Sequence, residues 1–317
     1  QSSSAASDVY KRQAERYFVR GLAIGVASKP PDHENVSTCR QNGRSRVLNR
    51  LKNAPRAVWS RTVGQMISAR RPGAVCMFHQ HRCGSSVVGR MLAQHPQVSW
   101  RYEVITHDML EWEKRHQQRD NWHSDPLQII RRQMRENPKG WFGCEVTTHN
   151  LNRLGIALPQ MLDGLTAAHF SRFIVLERKN HLRRYISSRL AAANKAWHVR
   201  SESDRKKTRI SMPVEHAGMD DESGPIVQRL REDTRSVQQF LDLTAQFPTL
   251  HLIYEDHIEN DPRVAYRMVC DHLGLKPASI DPALVRGNPF PIAEMLENFD
   301  EVSDALQGTE FEWMLTS

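Results

Sequence analysis

No run of about 18 apolar residues occurs anywhere in the chain, so it holds no candidate transmembrane helix. The apolar-rich stretch at residues 18–27 is too short and is interrupted by Arg20; it has the length of a signal-peptide core but no clear cleavage site. Cysteine is scarce. The five present, Cys39, Cys76, Cys83, Cys144 and Cys270, are odd in number and scattered. That argues against a disulfide scaffold and for free thiols in a reducing compartment, which points to the cytoplasm; the Golgi lumen is the alternative if an anchor precedes residue 1. His79 and His81 make only a His-x-His pair, too little for a metal site, so no metal is expected.

Acidic residues are missing entirely from residues 40–72, where nine Arg or Lys accompany a weakly amphipathic Val47, Leu48 and Leu51. Aromatic residues are nearly absent there too, which favours a solvated basic extension over a nucleic-acid surface; no nucleic-acid partner is expected. Residues 1–13 are small, polar and without periodicity. Pro72-Gly73 marks a boundary between an N-terminal extension (1–72), disordered or basic and helical, and a folded domain (73–317).

What is present is a globular composition, 39% hydrophobic and 25% charged, in a chain long enough for an ample core. The formal charge of +8 suits an anionic ligand. The stretch at residues 74–94, AVCMFHQHRCGSSVVGRMLAQ, organises the rest. Its first five residues have strand length and apolarity, and Val87, Val88, Met91 and Leu92 recur at helical spacing. Between them lies a tight polar loop. Gly84 permits close backbone approach, Ser85 and Ser86 can cap the helix or bond an oxyanion, and the helix start offers free N–H groups. Arg82 adds a cation. A phosphate-like group suits such a loop, yet no Lys precedes the serines as nucleoside-triphosphate loops of the Walker kind require.

Further strands are predicted at residues 98–103, 141–147, 173–176 and 250–254, separated by helices at 108–119, 125–136, 159–168, 180–193, 225–247 and 261–274. Alternation of this kind implies an α/β fold: a P-loop-like parallel β-sheet flanked by helices on both faces, as a single domain. Ligands of such sheets bind at the carboxyl ends of the strands. Residues 197–224, polar and broken by Pro213, Gly218 and Gly224, read as a long excursion over that edge.

Three stretches in order, RCGSS after a strand, LERKNHLRRYISS after a later one and LIYEDHIENDPRVAYRMVCDHLGL near the end, resemble the sulfotransferases that use 3′-phosphoadenosine 5′-phosphosulfate (PAPS). The closing NFDEVSDALQGTEFEWML is similar to the tail of many bacterial-type members. The resemblance implies transfer of a sulfuryl group from PAPS, without metal, to a hydroxyl or amine of a carbohydrate or small-molecule acceptor. It makes Arg82, Cys83, Gly84, Ser85 and Ser86 the 5′-phosphosulfate loop. Arg82 stands where cytosolic members carry Lys and carbohydrate-type members Arg, which points to the carbohydrate-type or bacterial-type branch.

The same resemblance assigns Arg178 and Ser187 to the 3′-phosphate. Their separation of nine residues, where eight is usual, leaves Lys179 or Ser188 as substitutes. Glu103 is the implied catalytic base beside Arg82, with His79, His81 and His107 competing. Glu145 departs from a Lys common in relatives, and Arg286-Gly287-Asn288 falls where relatives close over the nucleotide. The other reading of the same loop is a nucleotide or sugar kinase, which needs Mg²⁺ and a loop Lys. The sequence carries no statement of oligomeric state.

Overall fold

The computed structural model describes residues 71–116, 125–138, 140–199, 201–219, 223–282 and 284–316. Residues 1–70, with Cys39 and the helical pattern around Leu48, lie outside these, so that of the N-terminal extension only Arg71 and Pro72 are described.

Five parallel strands form one sheet in the order β2-β3-β1-β4-β5, with β1 Ala74–His79, β2 Val98–Trp100, β3 Trp141–Thr147, β4 Phe170–Glu177 and β5 Thr249–Ile253. The helices are α1 Ser85–Gln94, α2 Val104–His116, α3 Pro126–Glu136, α4 Thr148–Leu154, α5 Leu158–Ala167, α6 His181–Asn194, α7 Ile226–Thr244, α8 Tyr254–His257, α9 Arg263–Leu273, α10 Ile292–Met295 and α11 Phe299–Leu306.

The central strand explains why the sheet is covered twice. All six residues of β1 are buried, and their alternation sends Ala74, Cys76 and Phe78 into one apolar cluster and Val75 and Met77 into another. On the first face Phe78 stacks between Phe173 and Phe240 of α7, at 5.9 and 5.2 Å between ring centroids. Full burial of each such ring is worth roughly 2–3 kcal/mol. On the second face α1 and α9 supply Val88, Met91, Val269 and Leu273. A third cluster joins α6 to the chain's end through Leu182, Ile186, Leu306 and Met314, and Asn180 Nδ2 donates to the Met314 carbonyl at 2.8 Å.

Helix signals act as written in the sequence. The Asp125 side chain caps α3 through the Leu127 N–H, Asn180 caps α6 through Arg183 N–H, and Gly274 ends α9 in the left-handed conformation. Asp261 still takes the Arg263 N–H at 3.0 Å, although α9 starts one turn position later than the Asp-Pro pair suggests.

One strand departs from its pattern. Residues 98–103 alternate as a strand, but β2 stops at Trp100: Tyr102 adopts φ 53°, and Val104 already begins α2. Glu103 therefore sits on a tight corner three residues beyond the strand, and the corner is tied to β3 by Glu145 N–H donating to the Tyr102 carbonyl at 2.9 Å.

The connection leaving β1 runs toward β2 on one side of the sheet and the one leaving its neighbour β4 runs toward β5 on the other. The crevice at the carboxyl end of β1 is the sheet's switch point.

Candidate functional site

The loop leaving β1 is strained where it turns. Arg82 has φ 66° and Gly84 φ 97°. At Gly84 a side chain is excluded twice over, by that conformation and because a Cβ would stand 2.9 Å from the Tyr254 ring. Gly84 is the N-cap of α1 and no side chain caps the helix, so the loop leaves the first amides of α1, from Ser85 and Ser86, unspent by any cap. The loop is held from behind: Gln80 Nε2 donates to the Asp233 carbonyl at 2.9 Å, and Arg184 Nε to the His81 carbonyl at 2.9 Å.

In front of it lies a cleft of about 430 Å³. Arg82, Ser85, Ser86, Glu103, Arg178 and Ser187 all line it, so the segments singled out at 82–86 and 178–187 open onto one space. Arg82 spans it, donating from Nε and Nη2 to Ser187 Oγ at 3.1 and 3.0 Å and from Nη1 to the Trp197 carbonyl at 3.2 Å, with its guanidinium 5.4 Å from the Trp197 ring centre. Arg178 is 8% exposed, stacks at 4.3 Å on Tyr254, and points Nη1 at the Arg82 carbonyl.

Cations crowd this wall. Burial lowers the Arg183 guanidinium to about 10, and the charges of Arg286 and Arg178 push the same way. Burial likewise depresses Arg178, only partly opposed by Tyr254 and Glu255. Positive groups pressed together away from water are relieved by an anion between them.

The alternatives in the 178–188 stretch differ in where they lie. Lys179 pairs with Asp256 at 3.2 Å with both side chains about half exposed, and neither it nor Ser188 lines the cleft, whereas Arg178 and Ser187 do. Cys83 is buried beside the apolar cluster of the second face with its thiol hydrogen-bonded to His79, so it offers the loop its backbone. Glu255 accepts from the backbone N–H groups of Lys179 and Asn180, both at 3.0 Å, and thereby shapes the turn that carries Arg178.

Several lining residues carry no sequence signal of their own. Trp197, His198, Arg205 and Lys206 arrive on the long excursion, and Glu259 pairs with Arg286 at 2.6 Å. Arg183 was legible in principle, since it stands four residues before Ser187 on the same helix face. Its neighbour Arg184 belongs elsewhere: it is buried and engaged with Asp233 and His181 rather than lining the cleft.

His79, His81 and Glu103 line the same cleft, with Glu145 behind them. Glu103, a fifth exposed, lies 3.7 Å from His81 Nε2 and accepts from Thr106 Oγ1 at 2.8 Å. Burial alone would raise its carboxyl, but His81, then His79 and Thr106, hold it well below the usual carboxylate range. Glu145 is buried and takes Trp100 Nε1 at 2.8 Å and His79 Nε2 at 3.1 Å. His79 Nδ1 faces the Gln80 carbonyl at 3.1 Å, so both ring nitrogens meet acceptors. Burial lowers this imidazole, but Cys83 and Glu145 outweigh it and raise it well above the ordinary value.

His79, Glu103 and Glu145 are the one set among the described residues whose donor atoms, all within 4.8 Å of one another, are spaced for a metal ion. The His79 and Glu145 atoms already satisfy each other. His107 is exposed and outside the cleft.

The network behind the loop predicts a pH response. His181 is buried, accepts from Arg184 Nη1 at 2.9 Å, and is lowered from 6.5 to about 4 by burial and by the Arg184 charge. The unfolded chain therefore binds a proton at His181 before the folded one does, and stability falls as pH drops through that window. Between about pH 7 and about pH 4.5 this group is expected to remove on the order of 2 kcal/mol, with His181→Gln losing correspondingly less in urea titrations at the two pH values. An equal loss in the variant would remove His181 from that role.

Fold and cleft together define an open parallel α/β protein with a cation-lined crevice at its switch point. No family model and no curated protein matches the chain. Among solved structures it is similar to a sulfotransferase from Alicyclobacillus acidocaldarius, at 14% identity and a TM-score of 0.42, over 76% of this chain and 94% of that one. No helix of the described residues is long and apolar enough to cross a membrane.

Proposed function

We propose that the protein transfers a sulfuryl group from PAPS to a hydroxyl, or an amine, of a carbohydrate or small-molecule acceptor. The observation that carries this reading is the convergence of the strained 82–86 loop and the Arg178/Ser187 pair on one cation-lined cleft. A donor with anionic groups at both ends needs two such grips. In the proposal, the amides at residues 83–86 and the Arg82 guanidinium hold the 5′-phosphosulfate. Arg178 and Ser187 take the 3′-phosphate, with Arg183 and Arg286 adding charge.

Transfer is in line: the acceptor oxygen forms a bond to sulfur as the bond from sulfur to the 5′-phosphate oxygen breaks. The electron pair stays on that oxygen, where Arg82 and the loop amides stabilise it. In the proposal Glu103, which lines the same cleft, serves the acceptor end of the reaction. Four buried free thiols, at Cys76, Cys83, Cys144 and Cys270, suit a cytoplasmic setting.

The test is thermal. With EDTA present, 3′-phosphoadenosine 5′-phosphate at about 100 times its Kd is expected to stabilise the fold by about 2.7 kcal/mol, and ATP with Mg²⁺ by less. Equal stabilisation by the two nucleotides, or a requirement for Mg²⁺, would favour the kinase reading instead.

A further inference from the structure

We propose that the proton acceptor for the incoming hydroxyl is His81, backed by Glu103, so that the two form a dyad built from the phosphate loop and the corner after β2. The inference rests on sulfuryl transfer being the reaction.

The geometry separates the two roles. His81 and Glu103 both line the cleft, with His81 Nε2 3.7 Å from Glu103 Oε2. Glu103 is fixed from the far side: Thr106 Oγ1 lies 2.8 Å from its carboxylate and 2.9 Å from Asn150 Oδ1. A carboxylate so placed is ionised and oriented, but with its basicity suppressed by His81, His79 and Thr106 it is a weak proton acceptor near neutrality. What it does well is hold an imidazole and stabilise the imidazolium that forms when the ring takes a proton.

His79 is excluded from that task because it is 1% exposed and both its nitrogens already face Gln80 and Glu145. His81 is held in place through its own backbone, whose carbonyl accepts from Arg184 Nε at 2.9 Å. The charged and titratable groups around it are Glu103 from the β2 corner, His79 on β1, Arg82 next in the loop, Arg184 on α6 and His149 on α4, whose ring centre is 5.4 Å away.

In the proposed step the acceptor hydroxyl gives its proton to the His81 imidazole, which lines the cleft, as its oxygen bonds sulfur. The S–O bond to the 5′-phosphate breaks with its electrons staying on the phosphate oxygen. His81 leaves the step as an imidazolium paired with Glu103, which remains ionised throughout.

The experiment uses the full chain in three forms, wild type, His81→Asn and Glu103→Gln. Binding of 3′-phosphoadenosine 5′-phosphate is read by thermal shift. Turnover is read with labelled PAPS against desulfated polysaccharides and small phenols across pH. His81→Asn is expected to lose about a hundredfold or more in turnover while keeping the wild-type nucleotide shift. Glu103→Gln is expected to move the acid limb of the turnover profile to lower pH, because the imidazole loses the charge that favours its protonation.

Wild-type turnover in His81→Asn, or an unmoved acid limb in Glu103→Gln, overturns the dyad. Independently of any acceptor, NMR titration of the His81 ring in the nucleotide-bound protein is expected to give a lower midpoint in Glu103→Gln than in wild type, and an unchanged midpoint also overturns it. Absence of a nucleotide shift in the wild type itself strikes the sulfuryl-transfer reading, a distinguishable failure.

Discussion

In Arg178→Ala, the Kd for 3′-phosphoadenosine 5′-phosphate is expected to rise about a hundredfold while the unliganded protein melts within a few degrees of wild type. The guanidinium is buried against Tyr254 and ends within 3.9 Å of Glu255, so it arrives at the cleft already oriented and desolvated. Losing a charge-assisted, two-pronged contact of that kind costs about 2–5 kcal/mol of binding. The fold is spared because Glu255 keeps its two backbone donors at Lys179 and Asn180, and is left neither buried nor unpaired. Arg178→Lys is expected to recover only part of the affinity, since an ammonium supplies charge without the planar fork. Calorimetry decides the matter: an affinity within twofold of wild type in the alanine variant would end the two-ended grip on the donor.

The largest loss of stability is expected far from any ligand, in Asp233→Ala. Asp233 lies on α7 and accepts from Arg184 Nη1 at 3.1 Å, Tyr185 Oη at 2.6 Å and Gln80 Nε2 at 3.3 Å. Removing it leaves the fully buried Arg184 guanidinium without its counter-charge, a loss of about 3–5 kcal/mol. For a domain of this size that corresponds to about 10 °C in melting temperature. The same carboxylate orients the Tyr185 hydroxyl, whose ionisation is suppressed first by burial and then by the Asp233 charge. Because Gln80 precedes His81 and Arg82, the variant is also expected to weaken nucleotide binding despite its distance from the cleft. A melting temperature within about 2 °C of wild type would show that the network contributes little.

The two predictions divide the molecule by what its sequence made visible. Strand-length apolar runs and helix caps place β1, β3 and β5 nearly to the residue, because β1 buries every residue it has and each helix carries its own stop and start chemistry, whereas β4 begins three residues before the apolar run at 173–176 that announces it. The Arg82 loop and Arg178 were legible for the same reason: each directly follows a strong strand, and strand ends of a parallel sheet share an edge. β2 was overextended by its alternation, since nothing local announces that Tyr102 turns to positive φ. Arg184 and Arg183 read alike in a basic helix, yet adjacent helical positions face about 100° apart, so one lines the cleft while the other is buried against α7.

By itself, then, the sequence determined the alternating architecture, the anion-type loop after the first strand and the arginine after the fourth, since periodicity and turn chemistry are local. Only the tertiary structure decided that Arg82 reaches Ser187 across 105 positions of chain, that Arg178 rather than Lys179 lines the cleft, and that Glu103 comes within 3.7 Å of His81. Those are contacts between segments distant in sequence, and their geometry depends on how both faces of the sheet are packed.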